Sequence, residues 1–151
     1  MPGPKQSGLF VYAKNLARVA SFYESVLGLR RAHETPELVV LDADGFQLLV
    51  HAIPADVSAT VSVTEPPTPR DRAALKFFFT VPSIAAAKEQ AQRLGGIVLE
   101  HQYQGQGFRV NNAVDPEGNI FHVRESAPQQ IIQTEPASSL HAKRNLSGGP
   151  A

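Results

Sequence analysis

His122 is the residue whose position in this sequence most suggests chemistry. It lies four residues after Gly118, in a run of apolar, β-branched and aromatic residues that is typical of a buried strand. An imidazole can accept a proton, donate one or bind a metal ion. A buried histidine can also be structural, with its ring bonded to a neighbouring carbonyl. The ring alone therefore leaves a functional and a structural interpretation open.

His51 could act together with His122 in binding a metal ion. Strand alternation places Gln47, Leu49 and His51 on the same face of a predicted strand. A pair formed by His51 and His122, completed by Glu100 or a water molecule, could hold a divalent metal. Alternatively, His51 lies at the end of its strand and is solvated. The remaining histidines are expected in solvent-facing loops or in the tail: His33, His101 and His141.

The composition excludes several classes of function. The absence of cysteine excludes disulfides, thiolate metal sites and a cysteine nucleophile. A formal net charge of zero makes nucleic acid an unexpected partner. No apolar run is long enough to span a membrane, and residues 1–7 lack the apolar core of a signal peptide. We therefore expect a cytoplasmic protein.

The elements that must position these residues fall into two similar halves. Each half is predicted as a strand, a helix and three further strands, over residues 8–53 and 75–125. The proline-rich segment 54–74 is a predicted linker. Residues 1–7 are expected to form a flexible arm, and residues 126–151, rich in Ser, Pro, Gln and Gly, a mobile tail.

An internal repeat relates the two halves. An offset of 68 residues aligns Gly8 with Lys76, and an offset of 73 aligns Leu49 with His122. Each of the last two residues lies four positions after a turn glycine. Two such units predict an α+β fold in which the sheets curl round a shared cleft and the helices cover their outer faces. A ligand is expected inside the cleft.

Two segments resemble the signatures of a known superfamily. Residues 22–28, FYESVLG, resemble the first-helix signature of the vicinal oxygen chelate superfamily, and residues 115–119, DPEGN, are similar to its turn before the last strand. This superfamily includes glyoxalase I, bleomycin-resistance proteins, fosfomycin-resistance enzymes and extradiol dioxygenases. Over residues 8–125 the resemblance implies two paired βαβββ modules that form a curled eight-stranded sheet around a cleft. It implies structural roles for the signature residues.

The resemblance also implies where a metal would bind. In enzymes of the superfamily, inward side chains of four strands hold a divalent metal, and these positions correspond here to Gly8, Leu49, Lys76 and His122. His122 alone carries a ligand, because glycine and leucine have no donor and the lysine ammonium repels a cation. We therefore expect no cofactor, with a divalent metal at a shifted site of His51 and His122 as the alternative.

The same positions define the expected ligand site. Alternation along the strands predicts that one inner face carries the following residues: Phe10, Tyr12, Gln47, His51, Lys76, Phe78, Thr80, Ile120, His122 and Arg124. The glycine-rich segment 103–109 is expected to be a loop that closes over the cleft with Tyr103 and Arg109. The positive charges of Lys76, Arg109 and Arg124 favour an anionic or carbonyl-bearing ligand.

These features support three hypotheses. The main one is a small-molecule-binding protein of the glyoxalase/bleomycin-resistance type that takes an aromatic or anionic compound without metal. The alternative is a lyase or dioxygenase, either metal-dependent through the shifted site or metal-free with His122 as base and Lys76 as its electrostatic partner. The third is a scaffold whose cleft is filled by its own aromatic side chains. Because short open sheets leave uncovered edges, and because proteins that resemble this one often pair, we also expect a homodimer.

Overall fold

The computed structural model describes residues 7–128 and gives each predicted half its expected order of elements. In chain order, the elements of the described residues are β1 (Gly8–Ala13), α1 (Leu16–Leu27), β2 (Arg30–Glu34), β3 (Leu38–Ala43), β4 (Phe46–Ala52), α2 (Ala55–Ser58), β5 (Phe78–Thr80), α3 (Ile84–Arg93), β6 (Ile97–Gly105), β7 (Phe108–Val114) and β8 (Ile120–Ser126). Residues 1–6 of the predicted arm 1–7 and residues 129–151 of the predicted tail 126–151 lie outside the described residues. Between residues 7 and 128, no helix is both long and apolar enough to cross a membrane.

The strands form two sheets of equivalent topology. Their orders are β1-β4-β3-β2 and β5-β8-β7-β6, with β1 parallel to β4, β5 parallel to β8 and the other pairs antiparallel. This arrangement confirms the predicted α+β class and its two βαβββ modules. Within residues 7–128, hydrogen bonds join the strands into two open four-stranded sheets. The two sheets are not joined to each other as one continuous sheet.

The pairing registers confirm the internal repeat. Phe10 of β1 lies beside Leu49 of β4, and Phe78 of β5 lies beside His122 of β8. The offsets between these pairs are those found in the sequence, 68 for the first strand and 73 for the last. Leu49 and His122 therefore occupy equivalent positions in the two sheets.

One core lies between the helix-side faces of the two sheets. Phe22 and Tyr23 of α1 are fully buried, and the Phe22 ring packs edge-on against Phe121 of β8 at 6.0 Å. Phe46 of β4 meets Phe79 of β5 at 5.3 Å, and helices α1 and α3 contact each other. Helix α1 packs on the first sheet and α3 on the second, on the sides opposite Phe10 and His122, and the two helices also meet in this shared core.

The turn 115–119 is fastened to helix α1 by buried hydrogen bonds. The Tyr23 hydroxyl donates to Oδ2 of Asp115 at 2.7 Å, and Oδ1 of Asp115 accepts from the backbone nitrogens of Glu117 and Asn119. The carboxylate of Glu117 accepts from the backbone nitrogens of Lys14 and Asn15, at 2.7 and 2.8 Å. The two sequence signatures thus bind each other and join the two halves of the chain.

The second half and the linker depart from the sequence expectation in four places. Strand β5 is shorter than the predicted 75–81, and β6 extends well beyond the predicted 97–100. The segment 103–109 is a β-hairpin, not a loop, because Gly105 pairs with Phe108 and Gly107, with φ of 76°, supplies the turn. The linker 54–74 contains the short helix α2.

Candidate functional site

Each sheet has an open face on the side away from the core. Along β1 and β4, buried residues such as Val11 and Val50 alternate with exposed or half-buried ones. We call the open face of the first sheet face A, and it carries Phe10, Tyr12, Gln47, Leu49 and His51. We call that of the second sheet face B, and it carries Phe78, Thr80, Tyr103, Phe108, Asn112, His122 and Arg124.

Face A presents a cluster of aromatic rings. Phe10 and Tyr12 expose 48% and 60% of their surface, and their ring centroids are 5.4 Å apart. The His51 ring lies 5.8 Å from Phe10 and 6.0 Å from Tyr12. Nδ1 of His51 is 2.7 Å from the Ala52 carbonyl oxygen, so this nitrogen carries a proton and donates it to that oxygen.

Gln47 of face A belongs to a row of hydrogen-bonded polar side chains with Asp42 and Arg30. Its Nε2 donates to Oδ1 of Asp42 at 3.0 Å, and Arg30 donates to Oδ2 of the same carboxylate at 2.7 Å. Both carboxylate oxygens of Asp42 thus accept hydrogen bonds from neighbours, and the charges of Arg30 and Asp42 balance each other. The Gln47 amide is therefore engaged within the protein, and it is a weaker candidate for binding a ligand.

On face B, the guanidinium of Arg124 contacts two aromatic rings. Its central carbon is 3.6 Å from the centroid of Phe78 and 4.6 Å from that of Phe108. Such cation–π contacts fix the position of a side chain that is otherwise flexible. Within residues 7–128, the buried Nε of Arg124 has no hydrogen-bond partner and the guanidinium forms no ion pair.

Lys76 and His122 lie next to this arginine. The Lys76 ammonium donates to Oδ1 of Asn112 at 3.0 Å, and Asn112 is the cross-strand neighbour of His122. Burial lowers the pKa of His122, and the charges of Lys76 and Arg124 lower it further. The imidazole is therefore neutral at pH 7 and can accept a proton or a hydrogen bond.

Tyr103 and Arg109, both predicted site residues, lie on opposite faces of the second sheet. Tyr103 lies on face B opposite Val110, half exposed, with its ring 4.3 Å from that of His101. Arg109 lies on the helix side of β7, where its guanidinium is 3.4 Å from the carboxylate of Glu125. Arg109 is therefore separate from the cluster of Arg124.

Sequence reasoning missed two members of face B. Phe108 and Asn112 lie in β7, on the same side as the face B residues of β8. Alternation along β7, counted from the residue opposite His122, would have found both. Treating the segment 103–109 as a loop prevented that count.

The residues present do not fit the superfamily's metal site. A side chain at Gly8 would place its Cβ 2.7 Å from the Gln47 carbonyl oxygen, so no ligand fits there. Leu49 has no donor atom, and Lys76 is bonded to Asn112. For the shifted alternative, His51 and His122 belong to different sheets, and Glu100 pairs with Lys88. The described part of the chain gathers no three His, Asp or Glu side chains that could hold a metal ion.

A cavity of about 570 Å³ lies beside the start of α1, away from both open faces. Its charged side chains already have partners. Arg18 pairs with Glu65, and Glu117 is held by the backbone nitrogens described above. We therefore interpret the cavity as part of the contact between the start of α1 and the segment 54–74, and not as a ligand site.

The fold and its sequence pattern match known proteins. A family model described as a glyoxalase-like domain matches residues 8–124. Comparison with curated proteins gives no significant match. Among solved structures, a glyoxalase/bleomycin resistance protein/dioxygenase family enzyme from Burkholderia phytofirmans PsJN is similar at 15% identity and a TM-score of 0.60, covering 80% of this chain and 97% of that one.

Two further structures show the same likeness. A glyoxalase-related enzyme from Fulvimarina pelagi has 19% identity and a TM-score of 0.55, over 80% of this chain and 86% of that one. The fosfomycin resistance protein FosX from Listeria monocytogenes has 14% identity and a TM-score of 0.55, over 85% and 96%. At such identities the likeness shows the fold, which hosts many functions.

Proposed function

This chain belongs to the glyoxalase-like domain family of the vicinal oxygen chelate superfamily, and from that membership we propose that it binds a small molecule without the superfamily's usual metal. The observation that carries the proposal is face B. There, Arg124, Lys76 and a neutral His122 converge beside the half-exposed ring of Phe78. An apolar surface with a few convergent polar groups is typical of a small-molecule site.

The exposure of the aromatic residues supports binding over a scaffold role. A scaffold would fill the site with its own side chains, whereas Phe10, Tyr12 and Phe78 each leave about half or more of their surface exposed. Exposed apolar clusters of this kind mark surfaces that meet a ligand or another protein. The proposal includes a homodimer, whose second copy would cover part of these faces.

A thermal-shift screen of aromatic and anionic compounds tests this function. We expect compounds that raise the melting temperature of the protein by mass action. The variant His122→Ala should bind them about fivefold more weakly, since one hydrogen bond contributes about 1 kcal/mol. The matched variant His33→Ala, which removes an exposed imidazole from β2, should bind as the unchanged protein does. Equal binding by all three proteins would reject face B as the site.

Elemental analysis tests the metal-independent part of the proposal. We expect substoichiometric zinc, nickel, manganese and iron in the purified protein, and ligand binding that survives treatment with a chelator. Three or four protein ligands are needed for tight divalent binding, and the mapped positions supply one, His122. One tightly held metal ion per chain that His122→Ala removes would restore the metalloenzyme hypothesis.

The lowered pKa of His122 favours a second candidate function, metal-free proton transfer. A neutral imidazole can remove a proton from the carbon next to a ligand's carbonyl, whose oxygen would accept a hydrogen bond from Lys76. Exchange of that hydrogen in heavy water, followed by NMR, measures the step. The exchange should be lost in His122→Ala, and exchange at an unchanged rate in this variant would exclude His122 as the base.

A further inference from the structure

The geometry of Arg124 restricts how a ligand can reach it. The ring centroids of Phe78 and Phe108 lie 3.6 and 4.6 Å from the central carbon of the guanidinium. Two rings this close leave little room for a ligand to stack on the guanidinium. These contacts favour an approach along the edge, where the N–H donors point outward in the plane of the group.

The charge of Arg124 is also uncompensated. Among the arginines of residues 7–128, Arg18, Arg30, Arg31 and Arg109 form ion pairs with carboxylates, and Arg109 does so on the opposite face of the neighbouring strand. Arg124 and Lys76 have no such pair, although both lie close enough to His122 to lower its pKa. A half-buried, fixed cation without a carboxylate partner favours an anion from outside the chain.

Resting on the proposed function, we propose that face B recognises a carboxylate, held edge-on by Arg124 with Lys76 as a second positive charge, in a ligand with an apolar body. A planar carboxylate lies in the plane of the guanidinium and accepts two parallel hydrogen bonds. A tetrahedral phosphate matches this planar fork less well, because its oxygens do not all lie in the plane of the guanidinium. The half-exposed rings of Phe78 and Tyr103 would contact the apolar body.

Titrations with benzoate, benzamide and inorganic phosphate, followed by NMR of the full chain, test the proposal. Benzamide has the shape of benzoate without its charge. We expect benzoate to bind at least about tenfold more tightly than benzamide, since hydrogen bonds between charged groups contribute more than neutral ones. Benzoate should shift the resonances of Phe78 and His122, and it should raise the pKa of His122 by adding a negative charge nearby.

Two variants at Arg124 and one matched control complete the experiment. Arg124→Gln should lose about tenfold in benzoate affinity, and Arg124→Lys should lose most of the same amount because an ammonium lacks the planar fork. Arg109→Gln removes an arginine from the adjacent strand but on the opposite face, and it should bind benzoate normally. Circular dichroism and melting temperature establish that each variant is folded. Arg124→Lys keeps the test valid if Arg124→Gln does not fold.

The possible results separate this proposal from the proposed function. If benzamide binds face B as well as benzoate does, the carboxylate proposal is overturned and small-molecule binding stands. If phosphate binds more tightly than benzoate, or if Arg109→Gln weakens benzoate as much as Arg124→Gln, the edge-on assignment is overturned. If none of the three probes perturbs face B, the carboxylate proposal fails, and the thermal-shift screen decides the function separately.

Discussion

His122 owes its chemical state to neighbours from three different segments of the second sheet. Its own strand contributes Arg124, the segment before β5 contributes Lys76, and β7 contributes Asn112, which holds that lysine. Burial is the largest cause of its lowered pKa, and the two cations add to it. A histidine that looks like a core residue in the sequence is thus a neutral acceptor in a positive environment.

The lowered pKa predicts how stability depends on pH. Between the lowered value and the ordinary histidine pKa near 6.5, the unfolded chain binds more protons than the folded one. The free energy of unfolding contributed by this group therefore falls as the pH decreases through that window. Urea unfolding at about pH 7.5 and about pH 5.5 should show a larger loss for the unchanged protein than for His122→Gln.

His101→Gln is the matched control for this pH effect, because it removes an exposed imidazole from the same sheet. It should lose as much stability on acidification as the unchanged protein. If His122→Gln loses stability in parallel with the other two proteins, burial and the neighbouring cations do not govern the titration of His122.

Single residues of the site could be predicted where strand alternation applies. The predicted residues Phe10, Tyr12 and His51 lie on face A, and Phe78, His122 and Arg124 lie on face B. Alternation depends only on the two-residue period of a strand, which the sequence contains. The partners of these residues could not be predicted, because the ring contacts of Arg124 and the bond from Lys76 to Asn112 depend on packing between distant segments.

The hairpin of β6 and β7 supports the arginine site through Gly105. A Cβ at Gly105 would lie 2.2 to 2.5 Å from ring atoms of Phe108, so the ring rests directly on this glycine. The sequence alone suggested a mobile loop here, since glycine is common in loops. In the structure, the glycine instead makes room for a ring that covers Arg124.

Gly105→Ala should therefore weaken the site from a distance. The added methyl displaces the Phe108 ring, and Arg124 loses one of its two aromatic contacts, which contributes about 0.5–1 kcal/mol. We expect a benzoate affinity two- to fivefold lower, measured by NMR titration. Gln106→Ala, an exposed change in the same turn, is the control and should have no effect. An unchanged affinity in Gly105→Ala would show that Phe108 does not position the guanidinium.

The turn 115–119 and helix α1 form the second element on which the fold depends. Burial and the neighbouring Asp115 raise the pKa of Tyr23 well above its ordinary value, so the hydroxyl stays protonated and donates to the carboxylate. Tyr23→Phe removes one donor from a fully buried charge. We expect the free energy of unfolding to fall by about 2 kcal/mol, the contribution of a hydrogen bond to a charged group.

Tyr12→Phe is the matched control for this change. Its hydroxyl belongs to a side chain that is 60% exposed, and its loss should alter the free energy of unfolding by less than about 0.5 kcal/mol. Chemical denaturation of both variants gives the comparison. Equal stabilities would mean that water replaces the Tyr23 hydroxyl at Asp115 and that the two signatures are not joined by this bond.

At the scale of the whole molecule, the repeat predicted each module but not how the modules pack. Topology within a module follows from short connections and turn residues, which are local. The packing of one module on the other depends on which apolar faces meet. Here the contact between Phe46 and Phe79 joins the helix-side faces of the two sheets. Faces A and B therefore point away from the common core.

This packing predicts which strands of two copies would pair in the expected homodimer. Strands β1 and β5 are sheet edges, and they carry Phe10 and Phe78 with 48% and 52% of their surface exposed. If β1 of one copy pairs with β5 of another, and β5 with β1, both sheets grow to eight strands and the assembly closes by two-fold symmetry. The cleft predicted from the sequence would then lie between face A of one copy and face B of the other.

Sedimentation analysis of two charge variants distinguishes this dimer from its alternative. Phe10→Lys places a charge beside the β1 edge, whereas Val57→Lys places one in α2, within the segment 54–74 that is the other candidate interface. The two residues have the same fractional exposure, 48%, so each change introduces a charge at an equally accessible apolar position. We expect the unchanged protein and Val57→Lys to sediment as dimers and Phe10→Lys as a monomer, because an unpaired charge in a buried interface is costly. A dimer that Val57→Lys disrupts would move the interface to the segment 54–74, and a monomer mass for the unchanged protein at high micromolar concentration would exclude a stable dimer.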